Sequence, residues 1–135
     1  MVNALLTAAH NGYEQAYAPY SHYAVGAAVL CDDGEIYSGS NVENAVYPLT
    51  ICAERVAVTK AISEGAKRVI AVAVITKNAG FPCGSCRQVI REFADNDVPV
   101  YISDLKGNYK AYTVEQLLPH SFSAQDLISS IDDAA

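Results

Sequence analysis

The sequence predicts an α/β fold in three layers, with helices on both faces of a mixed sheet of about five strands. Three observations carry this prediction. Helical and strand patterns alternate along 135 residues, a length that suits one domain, 1–135. The β-branched run at 69–76 is typical of a strand buried on both faces. The turn signal "DDG" at 32–34 indicates an antiparallel hairpin in the same sheet.

The first half of the chain begins with a helix and continues into the hairpin. An apolar stripe predicts the helix over residues 2–17, and it must stop before Pro19 because proline disfavours helix in the residue preceding it. Residues 23–31 and 35–39 flank the turn and have strand composition. These two stretches are predicted to be the paired strands of the hairpin.

Helices and strands alternate in the second half. Segment 51–64 is rich in helix formers and is followed by Gly65, which is typical of the residue just beyond a helix C-terminus. The predicted strand 69–76 comes next, followed by a helix over 83–94 and a strand over 98–103.

Two short helices are predicted to close the chain. Thr113 and Gln116 have the spacing of a capping box, and Ser123 and Asp126 have the same spacing. In that motif the first residue and the fourth satisfy each other's backbone N–H groups, which marks a helix start.

Composition narrows the classes of protein to which the chain can belong. Its N-terminus carries no basic region before an apolar one, and no apolar run approaches the length of a membrane span. We therefore expect a soluble cytosolic protein with no membrane partner. Its four cysteines, Cys31, Cys52, Cys83 and Cys86, are then expected to be thiols, metal ligands or catalytic groups instead of disulfides.

The charge of the chain argues against a nucleic-acid polymer as partner. The net charge is −6 with no run of Lys or Arg, so the protein repels a phosphate backbone. A small, uncharged or weakly charged substrate fits this charge better.

The segment "PCGSC" places Cys83 and Cys86 at the start of one predicted helix, and Cys52 starts another. The helix dipole and free backbone N–H groups favour thiolate there, which is the form that binds metal. Three hypotheses compete for this arrangement: incidental buried or free thiols, a thioredoxin-like redox pair, and part of a zinc site.

Glu54, two residues after Cys52 in "TICAERVAV", favours the zinc site. A redox pair needs neither of these two residues. A catalytic zinc needs three protein ligands and an open position for water, and the three cysteines supply the ligands. Glu54 would then be the general acid/base beside that water, as in deaminases with a ligand-x-Glu and a Pro-Cys-x-x-Cys motif.

With these two motifs, the chain resembles the small cytidine deaminases whose zinc ligands are all cysteines. The resemblance runs over nearly its whole length, through "AYAPYSHYAVGAAV", "SGSNVENAVYPLTICAER", "PCGSCRQVIREF" and "TVEQLLPHSF". It implies the cytidine-deaminase fold and a homotetramer with shared active sites. It also implies hydrolytic deamination of cytidine and 2′-deoxycytidine to uridine and 2′-deoxyuridine, with release of ammonia, in pyrimidine salvage.

The resemblance also implies a role for individual residues. One zinc ion per subunit would be bound by Cys52, Cys83 and Cys86, with Glu54 as the proton shuttle. Asn41 and Glu43 match residues that hydrogen-bond the ribose hydroxyls. The other implied substrate-binding positions, some of them shared between subunits, are Tyr23, Ala45, Tyr47, Ala53 and Phe122.

The chain departs from the family pattern at two positions. Tyr23 stands where the family usually has Phe near the base, which adds a hydroxyl that needs a partner if it is buried. Phe81 stands where Ser commonly precedes Pro82. The family role at that position belongs to a backbone carbonyl, so we expect the change to affect packing more than chemistry.

The implied mechanism assigns two proton transfers to Glu54. Zinc lowers the pKa of bound water from 15.7 to about 7. Glu54 takes the water proton, passes it to ring N3, and later protonates the departing amine. Because three thiolates leave the metal site negative, we expect N–H groups of Arg55 and Arg87 to donate to the ligand sulfurs.

Alternatives remain open from the sequence. The protein could deaminate another aminated heterocycle or a nucleoside-like antibiotic, or it could be a thiol redox or metal-binding protein without hydrolase activity. Cys31 is predicted to be a core residue, and the three histidines lack ligand spacing. Asn41 and Glu43 could form an ordinary turn, and Arg55 and Arg87 could be surface residues.

The C-terminal segment predicts contact with another subunit. A single domain has few elements with which to enclose a polar nucleoside. The apolar residues expected to have little of their own domain to cover are Leu117, Leu118, Phe122 and Leu127. Such a patch is normally an interface.

Overall fold

The computed structural model describes residues 1–128, and it contains one five-stranded sheet with helices on both faces. The helices are α1 (Val2–Glu14), α2 (Ala53–Ser63), α3 (Gly84–Phe93) and α4 (Val114–Leu117). The strands are β1 (Gly26–Cys31), β2 (Ile36–Ser40), β3 (Val69–Ile75), β4 (Pro99–Ser103) and β5 (Tyr109–Thr113). A single 3₁₀ turn, Tyr47–Leu49, precedes α2. The predicted three-layer α/β class is confirmed.

The sheet is mixed, as predicted, and its strand order is β2-β1-β3-β4-β5. β1 pairs antiparallel with both β2 and β3, β3 pairs parallel with β4, and β4 pairs antiparallel with β5. β5 has no counterpart among the segments that the sequence pattern indicated. It is an edge strand whose first three residues are exposed, so it lacks the apolar signal of a buried strand.

Two apolar clusters cover the two faces of the sheet. On one face, Leu5, Leu6 and Ala9 of α1 pack against Ala28 and small residues of β3. On the other face, α2, α3 and α4 pack against the alternate residues of the same strands. Because side chains alternate along a strand, the fully apolar β3 can serve both clusters, which confirms its prediction as a doubly buried strand.

The segment between α1 and β1 corrects two predicted boundaries. α1 ends at Glu14 instead of residue 17, and Tyr17 forms a β-bridge with Val42. β1 starts at Gly26 instead of residue 23. The side chain of Asn41 explains the later start of β1, because it binds the backbone ahead of the strand: Oδ1 accepts from the Val25 N–H, and Nδ2 donates to the Tyr23 carbonyl.

The start of α2 lies directly on β2. A Cβ added at Gly39 would lie 2.4 Å from the carbonyl oxygen of Ala53 and 2.5 Å from the backbone nitrogen of Ala57. Only a residue without a side chain allows this approach. Gly39 therefore determines how deeply the first turn of α2, with Cys52 and Glu54, sits against the sheet.

The predicted helix signals are found at three termini. Gly65 has a positive φ, and its N–H donates to Ile62 O while the Ala66 N–H donates to Ala61 O, which is a Schellman motif. Thr113 and Gln116 form both hydrogen bonds of a capping box. Residues 124–128 are helical, and the Ser123 N–H donates to Asp126; the remainder of that predicted helix lies outside the described residues. No helix within residues 1–128 is long and apolar enough to span a bilayer.

Candidate active site

Three cysteines converge where α2 and α3 begin. Cys52 is the N-cap of α2, Cys83 is the N-cap of α3, and Cys86 lies in the first turn of α3. Their sulfur atoms all lie within 4.8 Å of one another, and the Cys83 and Cys86 sulfurs are 3.3 Å apart. Within residues 1–128 they are the one such group of potential metal ligands. The predicted convergence of the three thiols is confirmed.

The chemistry and spacing of this group fit zinc. Four-coordinate zinc with Zn–S bonds of about 2.3 Å places its sulfur ligands about 3.8 Å apart, a value consistent with the observed spacing. Three thiolates also leave a fourth position open, as in catalytic zinc sites. The fourth cysteine, Cys31, is fully buried in the apolar cluster beneath α2 and α3, as predicted for a core residue.

The environment of the thiols favours ionisation at one of them. Hydrogen bonding from the Cys86 thiol lowers the pKa of Cys52 to about 6, with smaller contributions from Cys83 and from the positive charge of Arg55. The same hydrogen bond, together with burial, raises the pKa of Cys86. The thiols are therefore close enough for the ionisation of one to change the pKa of its neighbour.

Glu54 lies beside the sulfurs and is almost completely buried, with 4% of its surface exposed. Burial raises its pKa to about 7, and the negative charge at Cys52 adds to the rise. Because α2 begins at Ala53, the carboxylate projects from the same helical turn that follows Cys52. A carboxyl group held near neutral pKa at a cavity floor is typical of a proton-transfer residue.

A cavity of about 290 Å³ opens above these groups, close to the lower end of the size range of small-molecule sites. Cys52, Glu54 and Cys83 line its floor. The other lining residues are Ser21, Tyr23, Val25, Asn41, Glu43, Thr50, Val74, Thr76, Gly80 and Phe81. The sequence analysis did not identify Ser21, Thr50 or Thr76, since isolated hydroxyl residues in loops and at strand ends carry no local signal.

Asn41 and Glu43 both reach the cavity and also support its wall. Besides its two bonds to the backbone, the Asn41 side chain has one N–H and one lone pair that no group within residues 1–128 binds. The Glu43 carboxylate accepts from the backbone N–H groups of Tyr20 and Ser21 and from the Ser21 hydroxyl. The Ser21 hydroxyl bond, followed by the backbone bonds, holds the pKa of Glu43 below its usual range, so the carboxylate is an ionised acceptor at neutral pH.

Comparison with known proteins shows the family of the chain. The profile of the cytidine and deoxycytidylate deaminase zinc-binding region matches residues 2–102. The chain belongs to this family. A cytidine deaminase of Sporosarcina psychrophila is 48% identical over 128 residues, which cover 93% of this chain and 94% of the relative.

Solved structures of the family share the fold. The crystal structure of cytidine deaminase from Burkholderia pseudomallei aligns with a TM-score of 0.84 at 40% identity, over 89% of this chain and 98% of that one. The enzyme from Mycobacterium tuberculosis aligns with a TM-score of 0.77 at 38% identity, over 89% and 95% of the two chains. The resemblance noted from the motifs is therefore confirmed over most of the chain.

The remaining residues implied by the family resemblance occupy different places. Tyr23 lines the cavity, whereas Ala53 is fully buried and does not line it. Ala45 and Tyr47 are exposed, and neither lines the cavity of its own chain. Phe122 is 57% exposed and also lies outside that cavity, although its carbonyl accepts from Gln88 of α3. The structure thus places Tyr23 in the cavity that Cys52 and Cys83 also line, whereas Ala45, Tyr47 and Phe122 lie outside it.

Arg55 and Arg87 differ from the prediction. No guanidinium N–H within residues 1–128 donates to a cysteine sulfur: Arg87 donates from Nε to Pro82 O and from Nη1 to Leu117 O. Carbonyl oxygens are stronger acceptors than sulfur, and these two lie within reach. Arg87 therefore ties the residue before Cys83 to the end of α4, and Arg55 acts on Cys52 through its charge.

Replacing Arg87 by alanine is expected to lower the free energy of unfolding by about 2 to 4 kcal/mol, because two charge-assisted hydrogen bonds are lost. Urea unfolding of the zinc-loaded protein measures the change. The matched control is Arg68→Ala, which removes an exposed ion pair with Asp95 and a long, 3.4 Å hydrogen bond to Glu92 O, and it is expected to cost at most about 1 kcal/mol. Equal losses in the two variants would show that the Arg87 bonds are not structural.

Proposed function

We propose that this protein is a zinc-dependent deaminase that hydrolyses cytidine and 2′-deoxycytidine to uridine and 2′-deoxyuridine plus ammonia, in pyrimidine salvage. One observation carries the proposal. Cys52, Cys83 and the buried Glu54 line the floor of a cavity whose wall presents Asn41 and Glu43, and the buried Cys86 sulfur lies within 4.8 Å of the other two sulfurs. A metal site, a proton carrier and polar groups for a sugar are therefore present in one cavity.

Glu54 performs the proton transfers in this proposal. Zinc, when bound by Cys52, Cys83 and Cys86, supplies an acidified water next to that carboxylate. Glu54 takes the proton from the water and delivers it to ring N3, which makes C4 electrophilic. The hydroxyl that the water leaves on C4 then gives its proton to Glu54, which passes it to the amine, so that the C4–N bond breaks, ammonia leaves and a carbonyl forms at C4. Burial of Glu54 keeps bulk solvent from competing for the proton.

The wall of the cavity orients the nucleoside. Ionised Glu43 is an acceptor for ribose hydroxyls, and the free N–H of Asn41 is a donor to them. The 3′-OH is common to cytidine and 2′-deoxycytidine, so contacts to it support turnover of both. The hydrogen bonds that hold these two side chains in the protein preorganise them for this contact.

A substrate panel tests the proposal. The zinc-loaded protein should consume cytidine and 2′-deoxycytidine, seen as ultraviolet absorbance loss and ammonia release, and should leave free cytosine and adenosine unchanged. Chelation should abolish the activity and zinc should restore it. Turnover of another aminated heterocycle without cytidine would support the alternative substrate class, and zinc binding without any deamination would support a binding or redox protein.

We also propose that the active form is a homotetramer with shared active sites. The surface next to the cavity is an apolar patch, here named the 17–51 patch, formed by Tyr17, Tyr20, Val42, Val46, Tyr47, Leu49 and Ile51. All seven are more than 40% exposed, and β-bridges join Tyr17, Val42 and Ile51. Contiguous apolar surface of this kind supports an interface, and closed symmetry is the usual outcome.

The C-terminal segment is the proposed contribution of a neighbouring subunit. Phe122 and Leu127 are each 57% exposed, which leaves both side chains available to a partner. Leu117 was predicted to belong to this surface, but it does not, because this last residue of α4 is buried in the core. Only the part of the segment beyond Leu118 is therefore proposed to reach another chain.

Truncation after Leu118 is expected to weaken assembly and lower activity together. Light scattering coupled to gel filtration, at the concentration of the assay, measures the mass. Phe122→Ala is the milder variant, since it keeps the backbone carbonyl that binds Gln88. A fully active monomer would refute the shared site, whereas cytidine should stabilise a genuine oligomer by mass action.

We place the protein in the cytoplasm. The proposed zinc ligands must remain thiolates, and the cytosol keeps cysteines reduced.

The proposed domain is the whole sequence 1–135, because the two apolar clusters share one sheet.

A further inference from the structure

The side chain of Tyr23 joins two walls of the active-site cavity. One wall contains Asn41 and Glu43, and the other is the segment 76–81 between β3 and Cys83. The Tyr23 hydroxyl donates to Asn78 Oδ1 at 2.6 Å. Among residues 1–128 this is the one side-chain hydrogen bond between the two walls.

The backbone of Tyr23 is bonded to the wall that carries the ribose-facing groups. Its N–H donates to Ser21 Oγ at 3.0 Å, and the Ser21 hydroxyl donates to the Glu43 carboxylate. Its carbonyl accepts from Asn41 Nδ2 at 2.9 Å. A displacement of Tyr23 therefore displaces the partners of both Asn41 and Glu43.

The Tyr23 hydroxyl donates to an acceptor on the opposite wall, Asn78 Oδ1, which a second hydrogen bond holds in place. Asn78 Oδ1 also accepts from Thr76 Oγ1 at 3.2 Å, and Thr76 Oγ1 accepts from the Gly80 N–H at 2.6 Å. A Cβ at Gly80 would lie 2.5 Å from the Tyr23 hydroxyl oxygen. Gly80 therefore leaves the space that the Tyr23 hydroxyl occupies, and Asn78 supplies the acceptor for that hydroxyl.

We propose that Tyr23 is a positioning residue that holds the ribose-binding wall against segment 76–81. The hydroxyl determines the width of the cavity, and so the place of the nucleoside above Glu54, without touching the reacting atoms. This inference rests on the proposed deaminase function. It also explains how the extra hydroxyl at position 23, relative to the usual Phe of the family, is accommodated.

A double-mutant cycle tests the contact. In zinc-loaded Tyr23→Phe, the KM for cytidine should rise about fivefold, the factor that corresponds to one neutral hydrogen bond, while kcat changes little because binding is lost equally in the ground and transition states. Asn78→Ala should have the same effect, and the double variant should add nothing further. Hydrogen exchange of the peptide 76–82 should be faster in all three.

Tyr37→Phe is the matched control. Its hydroxyl also donates to a single side chain, that of Asp33, but Tyr37 does not line the cavity, so KM and exchange at 76–82 should stay at wild-type values.

Wild-type KM in Tyr23→Phe, unchanged exchange at 76–82, or additive effects in the double variant would each overturn the inference. If Asn78→Ala fails to fold, Tyr23→Phe decides by itself. If the wild-type protein does not deaminate cytidine, the proposed function fails separately, and exchange alone decides the Tyr23 contact.

Discussion

Replacing Glu54 by glutamine is expected to lower the rate of cytidine deamination by about 100-fold or more, because the amide cannot carry protons. Glutamine has nearly the same shape, so the fold and the zinc content should remain. Steady-state kinetics with metal analysis of the same sample measure both quantities. The loss should appear in kcat more than in KM, because the carboxylate acts on the reacting atoms.

One control variant tests this prediction, and two results would contradict it. Glu43→Gln keeps Glu54 and changes only the cavity wall, so it should act mainly on KM for nucleosides. Retention of more than about a tenth of the wild-type rate by Glu54→Gln would contradict its assignment as the proton carrier, since such groups contribute about 100-fold or more. Loss of zinc in the same variant would instead show that Glu54 supports the metal site.

Replacing Cys83 by alanine is expected to remove the zinc and with it all measurable turnover. Only two thiolates would remain, and a catalytic zinc site needs three protein ligands. Loss of the metal should also lower the thermal midpoint, because a ligand that binds only the native state stabilises it. Zinc content by mass spectrometry and unfolding with and without chelator measure the two effects.

Cys31→Ala is the matched control for the metal site. Cys31 is a buried thiol in the same core but is not part of the sulfur group, so its loss should reduce stability while zinc content and turnover persist. Wild-type zinc content in Cys83→Ala would contradict the proposed ligand set. Loss of zinc in Cys31→Ala would contradict its assignment as a core residue.

Local pattern was sufficient for most of the elements. The doubly apolar β3, the hairpin around "DDG" and the helix that is followed by Gly65 each carry a signal within a few residues, and all three are present. β5 was missed because an exposed edge strand such as Tyr109–Thr113 is recruited by pairing with β4. The last residues predicted for α1 were wrong for a similar reason, since Tyr17 instead pairs with Val42.

The sequence by itself determined the chemistry of the site. Cys52 followed by Glu54, and Cys83 followed by Cys86, put four functional groups on two helix starts, and their identity does not depend on packing. Spacing within a helical turn fixes which side chains emerge together. These motifs therefore predicted zinc, and their resemblance to those of zinc deaminases implied the reaction class.

Only the tertiary structure decided which partners the supporting residues have. Arg87 binds two carbonyls, one of them far along the chain at Leu117, and the Tyr23 hydroxyl meets Asn78. Hydrogen-bond donors take whichever acceptor the packed chain brings within about 3 Å. That choice depends on how helices and strands are stacked, which local sequence does not encode.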